Sequence, residues 1–316
     1  MIEKTFISTN GTTPITYYTF LPEGTPVAVL QICHGMAEHL TRYADLAEYM
    51  AKNGVIVIGC DHLGHGKSMD PDGAPGYFGD GHALTVLVED QKKLLEEVRK
   101  TYKHLPYILL GHSMGSFVAR RFISEYRELL DGVIICGTAG PDTPAAFGVA
   151  FASIVGAFSK KKKPNKLLAG VAFGSYNKKT GSKKLNSWLT RDETIVDAYN
   201  ADPLCGFAFT PSGYKQVFEC IKTVNAPEWA GTVEKRLSIL VTAGEEDPVG
   251  SYGKGPRAVY DALKEAEIDD VELKMYEGCR HEIHNELNKD EVYADFLAFV
   301  LRVADGARAL RQGAAD

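Results

Sequence analysis

Gly111-His112-Ser113-Met114-Gly115 is the stretch that decides the fold of this 316-residue chain. The apolar run Tyr107–Leu110 before it predicts a buried strand, and Ser116–Phe122 after it predicts a helix. Glycines two residues either side of Ser113 remove the Cβ atoms that would obstruct a tight turn. A strand–turn–helix arrangement of this kind lifts a serine hydroxyl above the sheet, where a base can activate it. The pattern predicts that Ser113 is a nucleophile, with an ordinary glycine-rich turn as the alternative.

Strand and helix patterns alternate along the rest of the chain. Two strands are predicted at Thr5–Thr9 and Ile15–Phe20, joined by the hairpin dipeptide Asn10-Gly11. Nearly continuous apolar runs follow, as is typical of strands buried on both faces of a parallel sheet; they are Val27–Cys33, Val55–Cys60, Tyr107–Leu110 and Val133–Gly137, and further strands follow at Ser238–Ala243 and Val271–Tyr276. Helical patterns occur at Tyr43–Lys52, His82–Tyr102, Ser116–Tyr126, Pro256–Ala266 and Lys289–Val303. The sequence therefore predicts an α/β fold with an eight-stranded, mostly parallel, doubly wound sheet.

A long interval separates the sixth predicted strand from the seventh. About 100 residues lie between Gly137 and Ser238, whereas a crossover helix with its loops needs only a few tens. We therefore expect a helical cap, residues 141–229, inserted into a core formed by residues 1–140 and 230–316. The insertion falls at the edge of the sheet where doubly wound proteins bind their ligands.

The most unusual part of this insertion is Ala145–Phe158, which is almost wholly apolar and is followed at once by the lysine run Lys160–Lys163. The apolar segment is too short to cross a bilayer. One interpretation is a cap helix that packs on the core and lines a pocket, with the lysines as a solvated connection. The other is an apolar surface flanked by cations, which makes transient contact with an anionic lipid surface.

Composition and charge exclude several classes of function. The net charge of −6 gives no case for nucleic-acid binding. The first residues lead into a strand pattern without the basic and apolar regions of a signal peptide. The six cysteines are scattered without metal-like spacing, which predicts reduced thiols in a cytoplasmic protein, with a disulfide as the alternative. The small, polar tail Asp305–Asp316 is expected to be frayed, and the oligomeric state stays open.

A serine nucleophile needs a base and a carboxylate that orients the base. In folds of this kind the acid follows a late strand and the histidine follows the last one. Asp247 lies several residues beyond the seventh strand, with Glu245 and Glu246 as alternatives. His281 follows the eighth strand at a loop–helix junction and is the predicted base. His284 falls about one turn into the helix, where a pocket or packing role is expected.

The tetrahedral oxyanion of such a reaction is held by two backbone amides. One is expected from Met114, the residue after the nucleophile, at a helix N-terminus. The other is expected from the loop after the third strand, His34-Gly35-Met36, where the glycine lets the chain fold back and the amide of Met36 can face the site.

Neither a metal site nor a phosphate loop is predicted. His62 and His65 are spaced i and i+3, but the surrounding glycines indicate a turn, and third and fourth ligands are not evident. The pair His281 and His284 lacks the spacing of a zinc-binding helix. The glycine-rich segments match no phosphate-binding pattern, and the predicted chemistry needs no cofactor.

Motifs at four places follow one another in the chain: His34-Gly35-Met36-Ala37-Glu38-His39-Leu40-Thr41-Arg42-Tyr43, Asp61-His62-Leu63-Gly64-His65-Gly66-Lys67-Ser68, Gly111-His112-Ser113-Met114-Gly115, and Trp188-Leu189-Thr190-Arg191-Asp192 through Asp202-Pro203-Leu204-Cys205. Together they resemble the monoacylglycerol lipase and lysophospholipase-like group of α/β-hydrolases, a group of the S33 serine aminopeptidase type. The resemblance implies an α/β-hydrolase fold with Ser113, Asp247 and His281 as a catalytic triad. It also implies Met36 and Met114 as the oxyanion amides, and a mobile cap that admits acyl chains.

These observations predict a serine carboxylester hydrolase that acts on monoacylglycerols, lysophospholipids or related acyl esters through an acyl-enzyme intermediate. Two alternatives remain open. An aminopeptidase or amidase of the same fold would cleave aminoacyl anilides in preference to esters. A hydrolase-fold binding protein without turnover would leave Ser113 unlabelled by a fluorophosphonate probe.

Overall fold

The computed structural model describes residues 1–69, 73–159 and 162–313, with side chains through residue 311. The strands are β1 Ile2–Ile7, β2 Pro14–Phe20, β3 Ala28–Cys33, β4 Val55–Cys60, β5 Tyr107–His112, β6 Gly132–Cys136, β7 Ser238–Gly244 and β8 Val271–Tyr276. The helices are α1 Ala44–Lys52, α2 Thr85–Tyr102, α3 Met114–Glu125, α4 Ala145–Phe158, α5 Lys166–Phe173, α6 Glu193–Ala201, α7 Pro211–Val224, α8 Lys254–Glu265 and α9 Lys289–Gly313.

The strands form one sheet in the order β1-β2-β4-β3-β5-β6-β7-β8. β1 and β2 are antiparallel to their neighbours, and every pairing from β4 to β8 is parallel. The prediction of an eight-stranded, mostly parallel sheet is confirmed. Because β3 lies between β4 and β5, the strand order reverses there, and the loops after β3 and β5 enclose a crevice at the carboxyl edge.

The central strands are buried on both faces, which is why their sequences are continuous apolar runs. Alternate residues of each strand point to opposite faces. Val29 and Leu109 pack in the core under α2 and α3, whereas Leu30 and Ile108 pack with α1 and α9 on the other face. The two layers of helices therefore cover both faces of the central strands, whereas most of β1 is exposed.

The turn from β5 into α3 has the geometry that its glycines predict. Ser113 has φ 55° and ψ −119°, a strained conformation for a residue with a side chain. A Cβ atom on Gly115 would overlap the backbone carbonyl of Cys33, and one on Gly111 would overlap the carbonyl of Gly115. Only glycines at these two positions let α3 begin directly against the end of β3.

Helices α4 to α7 all lie between β6 and β7, in the interval where the sequence predicts a helical cap. α4 packs along α7, and α7 packs in turn on α3 of the core. None of the helices in the described part of the chain combines the length and the apolar character needed to cross a bilayer. Lys160 and Lys161 of the predicted lysine run lie outside the described residues.

The expected fraying of the C-terminal tail is wrong as far as Gly313, because α9 continues to that residue. The guanidinium of Arg308 donates a hydrogen bond to the carbonyl of Val27, and Arg311 bonds to both carboxylate oxygens of Asp131. These contacts hold the end of α9 against the core, where the sequence predicts a frayed tail. The last three residues lie outside the described part of the chain.

Candidate active site

Three loops at the carboxyl edge of the sheet bring Ser113, Asp247 and His281 together. Asp247 follows β7 and His281 follows β8, and both side chains are buried. Nδ1 of His281 lies 2.9 Å from Oδ2 of Asp247, and the other oxygen of Asp247 accepts a hydrogen bond from the amide of Val249. His281 and Ser113 line the same cavity of about 90 Å³. The carboxylate thus fixes the imidazole through Nδ1 and leaves Nε2 to exchange a proton with a hydroxyl.

The alternatives to these residues do not occupy comparable positions. Glu245 and Glu246 are exposed, and Glu245 pairs with Arg257 on the surface. His284 lies in a single 3-10 turn, Ile283–Asn285, because the following helix begins only at Lys289; the expectation that it falls inside that helix is wrong. Its ring is buried and stacks on that of Tyr43, and burial lowers its pKa to about 3. His284 is therefore a neutral packing residue.

Met36 and Met114 lie beside Ser113, as the sequence predicts. Both border a second cavity that also contains Ser113. Met114 is the first residue of α3, where an amide has no partner within the helix. Within the described residues the Met36 amide likewise has no hydrogen-bond acceptor. Neither amide therefore has a hydrogen-bond acceptor among the described residues.

The loop that carries Met36 is held by a buried carboxylate. Oε1 of Glu38 accepts hydrogen bonds from the amide of Gly35 at 2.6 Å and from the hydroxyl of Tyr43 at 2.9 Å. A Cβ atom on Gly35 would collide with this carboxylate and approach Cβ of Ser113 to 3.2 Å. Glycine at position 35 therefore lets the loop pass between the nucleophile and Glu38.

A buried ion-pair network lies beneath the site. Arg42 bonds to Glu38 and makes a two-pronged contact with Glu282, the residue after His281, at 2.7 and 2.6 Å. Burial by itself raises the pKa of Glu38 and of Glu282, but the Arg42 charge outweighs it and the pKa of each lies below its usual value. Burial lowers the pKa of His112, yet Glu38 reverses this and the pKa is raised. The network connects the loop of Met36 to the loop of His281.

Sequence reasoning assigned no role to this network. The available signal was the i, i+4 spacing of Glu38 and Arg42, together with an acid directly after the predicted base. What the sequence lacks is the pairing of Arg42 with Glu282, which lie 240 positions apart.

Buried histidines join the loop that carries Met36 to the segment after β4. His34 accepts a hydrogen bond from the amide of His62, and Nε2 of His65 accepts one from the amide of Ala37 at 3.2 Å. Burial lowers the pKa of His62 to about 4 and that of His65 to about 3. Neutral rings are required, since a ring nitrogen that accepts a backbone N–H cannot also carry a proton. Both ring nitrogens of His62 and of His65 contact protein groups, so these histidines hold the loop structurally.

Among the described residues, His39, Asp202 and Cys205 place ligand atoms within 4.8 Å of one another. Nε2 of His39 and Oδ2 of Asp202 are already joined at 2.8 Å, and Asp202 also accepts the amide of Leu204. These bonds fasten the loop after β3 to the end of α6.

The two cavities share four lining residues: Met36, Ser113, Phe173 and Tyr214. Each has a volume of about 90 Å³. The first contains polar groups from His281, Glu282, Asn186 and Tyr199, whereas the second is lined chiefly by apolar side chains, among them Phe117, Val217, Phe218, Ile221 and Val249. Ser113 therefore stands between two cavities, of which the first has more polar groups in its lining than the second, and α5 and α7 supply walls to both.

A doubly wound sheet with a strained serine after β5 and a buried histidine–aspartate pair at the same edge defines the class of α/β-hydrolases. The family model described as "Serine aminopeptidase, S33" matches residues 24–288, and the chain belongs to this family.

The relatives of the chain indicate which kind of hydrolase it is. The chain is 30% identical to human monoglyceride lipase over 271 residues, which is 84% of this chain and 79% of the relative. It is 28% identical to monoacylglycerol lipase of Mycolicibacterium smegmatis over 301 residues, 95% and 96% of the two chains. The solved structure of a thermostable carboxyl esterase from Bacillus coagulans, in complex with glycerol, superposes with a TM-score of 0.89 at 30% identity, over 96% of this chain and 98% of that one. The protein is a carboxylic ester hydrolase of the monoacylglycerol lipase-like type, and the predicted α/β-hydrolase fold is confirmed.

Proposed function

We propose that the protein hydrolyses monoacylglycerols, lysophospholipids or related acyl esters, with Ser113 as nucleophile, His281 as general base and Asp247 as the orienting acid. The observation that carries the proposal is the buried contact of 2.9 Å between His281 and Asp247, in a loop whose histidine shares a cavity with Ser113. The names of the relatives support an acyl ester as the substrate class.

The reaction proceeds in two halves. Nε2 of His281 takes the proton of Ser113 as Oγ attacks the ester carbonyl, and the amides of Met36 and Met114 bind the oxyanion. The tetrahedral intermediate collapses when His281 passes the proton to the leaving alcohol, which departs and leaves an acyl-enzyme. Water then enters and attacks the acyl carbonyl while His281 takes one of its protons. The second intermediate collapses as His281 passes that proton to Oγ of Ser113, which releases the carboxylic acid and restores the serine hydroxyl.

In this proposal the two cavities set the orientation of the bound ester. The acyl chain lies in the apolar cavity bordered by Phe117, Val217 and Ile221, because hydrocarbon gains free energy by leaving water there. The alcohol occupies the first cavity, where Asn186 and His281 supply polar groups. We expect substrates whose alcohol is small and polar and whose acyl chain is unbranched.

Residues 141–229 act in this proposal as a cap on a core of residues 1–140 and 230–316. α5 and α7 contribute Phe173 and Tyr214 to both cavities, so their position controls entry. The outer side of α4 and α5 exposes large apolar side chains: Phe147, Ile154, Phe158, Leu167 and Val171. We include transient contact of this surface with lipid, which would bring an insoluble substrate to the site.

The test of the chemistry compares Ser113→Ala with Ser124→Ala. Ser124 lies on the same helix, and its hydroxyl bonds to Thr232 instead of facing the cavity. Hydrolysis of a p-nitrophenyl acyl ester should fall at least a thousandfold in the first variant and stay within twofold in the second. Ester hydrolysis by Ser113→Ala within tenfold of wild type would exclude Ser113 as the nucleophile.

The substrate class is tested with a panel. It contains p-nitrophenyl esters of increasing acyl length, a monoacylglycerol, a lysophospholipid and an aminoacyl anilide. We expect turnover of the esters at rates at least a hundredfold above the anilide, since the amine expelled from an anilide is a poorer leaving group than the alcohol or phenol expelled from an ester. A preference for the anilide would establish the peptidase alternative.

We also propose a cytoplasmic location, on the basis of cysteine chemistry. All six cysteines are buried and unpaired. Disulfides form in oxidising compartments, so six free thiols suit a reducing one. Titration of the denatured protein, isolated without reductant, should find six thiols, and a smaller number would argue for an oxidising compartment.

A further inference from the structure

The residue after Met36 is bonded to the insertion through its carbonyl. The hydroxyl of Tyr199, on α6, donates a hydrogen bond to the carbonyl oxygen of Ala37 at 3.0 Å. The amide of Gly206, in the loop between α6 and α7, donates to the same oxygen at 2.9 Å. Ala37 belongs to the loop after β3, so these bonds join the insertion to the core at the edge of the catalytic cavity.

The other side of Ala37 is held by the core. Its amide donates to Nε2 of His65 at 3.2 Å, and the ring of His65 is fixed by a parallel stack with Phe78 and an edge contact with Phe209. Ala37 has φ 54°, a left-handed conformation that an alanine rarely adopts without support. Hydrogen bonds to both polar groups of the residue provide that support.

Tyr199 is itself rigidly placed. Its ring is buried, and the guanidinium of Arg42 lies 4.8 Å from the ring centre. Its hydroxyl also accepts the amide of Gly206 at 3.1 Å. Burial raises the pKa of Tyr199 far above its ordinary value, so the hydroxyl keeps its proton and can donate it to Ala37.

We propose that Tyr199 is a positioning residue for the oxyanion site. Its hydroxyl, together with the Gly206 amide and His65, holds Ala37 in the left-handed conformation, and this conformation aims the preceding amide, that of Met36, at the oxyanion. Stabilisation of the transition state then depends on the docking of α6 against the core, although Tyr199 transfers no proton. The inference rests on the proposed role of Met36 and Ser113.

The test replaces Tyr199 by phenylalanine, which removes the hydroxyl and keeps the ring. Loss of an entire oxyanion donor lowers kcat by about 10²–10³, so a misaimed donor should lower kcat by about tenfold with KM within twofold. Affinity for a trifluoromethyl ketone, which mimics the tetrahedral state, should fall by the same factor as kcat/KM. Tyr276→Phe is the control, since it deletes a buried hydroxyl that bonds to Asp295 away from the cavity, and its kcat should be unchanged.

A change of alcohol separates positioning from substrate contact, because Tyr199 also lines the first cavity. Positioning predicts the same factor for a p-nitrophenyl ester, a glycerol ester and the ketone, which has no alcohol. An effect confined to KM, or a factor that follows the alcohol, would overturn the inference. So would a kcat of Tyr199→Phe within twofold of wild type.

A second variant distinguishes a loss of positioning from a general loss of stability. Ala37→Gly removes the steric cost of the left-handed conformation. Added to Tyr199→Phe, it should therefore raise kcat at least threefold. A general loss of stability would not be rescued in this way. Fluorophosphonate labelling at Ser113 must persist in Tyr199→Phe. If wild type itself were not labelled, the proposed function would fail; if only the kcat effect or the rescue were absent, this inference alone would fail.

Discussion

The two halves of the insertion are held to the molecule in different ways. The apolar half, residues 145–173, makes hydrogen bonds only within the insertion among its described residues. The anchored half, residues 187–206, is bonded directly to the loop of His281. The carbonyl of Leu189 accepts the amide of Glu282 at 2.7 Å, and Arg280 donates to the carbonyls of Ser187 and Thr190.

This difference divides the work of the site. Hydrogen bonds and ion pairs are directional, so the anchored half can fix the geometry of reacting groups. Apolar packing is non-directional, so the apolar half can shift to admit chains of different length without losing specific contacts. Phe158, at the end of α4, is 90% exposed, as the proposed contact with lipid requires. We therefore propose that the anchored half and the core carry the chemistry and that the apolar half contacts the lipid.

The largest effect is expected where the anchored half rests on buried charge. Arg42→Met leaves the carboxylates of Glu38 and Glu282 buried without their partner, which should lower the free energy of unfolding by about 3–5 kcal/mol. Arg257→Met is the matched control, because its pairing with Glu245 is exposed and should contribute less than about 1 kcal/mol. Urea unfolding measures both. Equal losses of unfolding free energy in the two variants would show that the buried Arg42 network stabilises the fold no more than an exposed ion pair does.

A smaller effect is expected from acid, through the histidines under the anchored half. The pKa of His62 is lowered by burial to about 4, against 6.5 for an ordinary histidine. The unfolded chain therefore binds more protons below pH 6.5, so the free energy of unfolding falls as the pH drops from about 6.5 towards 4. At pH 5 this histidine should account for about 2 kcal/mol.

Urea unfolding at pH 7.5 and pH 5 checks this sign. The loss between the two pH values should shrink by about 2 kcal/mol in His62→Gln, which does not titrate. An unchanged loss in the variant would show that other groups carry the acid sensitivity.

Two substitutions sharpen the comparison of the halves: one removes a core side chain that holds the anchored half, and the other lies in the apolar half. Arg280→Met removes the contacts with the carbonyls of Ser187 and Thr190, next to His281, and should lower kcat on a short, soluble ester about tenfold. Phe158→Ser should leave that kcat within twofold. Steady-state kinetics with a p-nitrophenyl ester measures both, and the reverse order of effects would contradict the assignment of chemistry to the anchored half.

The smallest effect is expected on the binding of lipid vesicles by the exposed apolar half. Phe158→Ser removes an exposed aromatic ring and should weaken binding to anionic phospholipid vesicles about threefold to tenfold, as measured by co-sedimentation. Leu310→Ser changes another exposed apolar residue, on α9 and outside the insertion, and should leave binding unchanged. Vesicle binding that is absent in wild type, or lost equally in both variants, would leave the apolar half with a packing role alone.

The sequence predicts those features that depend on local patterns and chain order. Continuous apolar runs identify the buried strands, and the glycines around Ser113 identify the turn that exposes it. Asp247 and His281 follow from their positions after the last two strands. The burial of the two side chains favours Asp247 over Glu245, because Asp247 is buried against His281 and Glu245 is exposed.

Features that join distant segments lay beyond the sequence. The bonds between Arg42 and Glu282, and between Tyr199 and Ala37, depend on which loops meet at one edge of the sheet. The extension of α9 was missed for the same reason, since Arg308 and Arg311 stabilise it through contacts with Val27 and Asp131. Local composition gave the opposite expectation there.

The most direct test of the account is the capture of the acyl-enzyme. Wild-type protein mixed with a p-nitrophenyl acyl ester and quenched in acid during turnover should carry one acyl group, which peptide mapping by mass spectrometry places on Ser113. The adduct should be absent from Ser113→Ala. Continued turnover with an acyl group on another residue, or with none at all under rapid quenching, would contradict the assignment of Ser113 as the nucleophile.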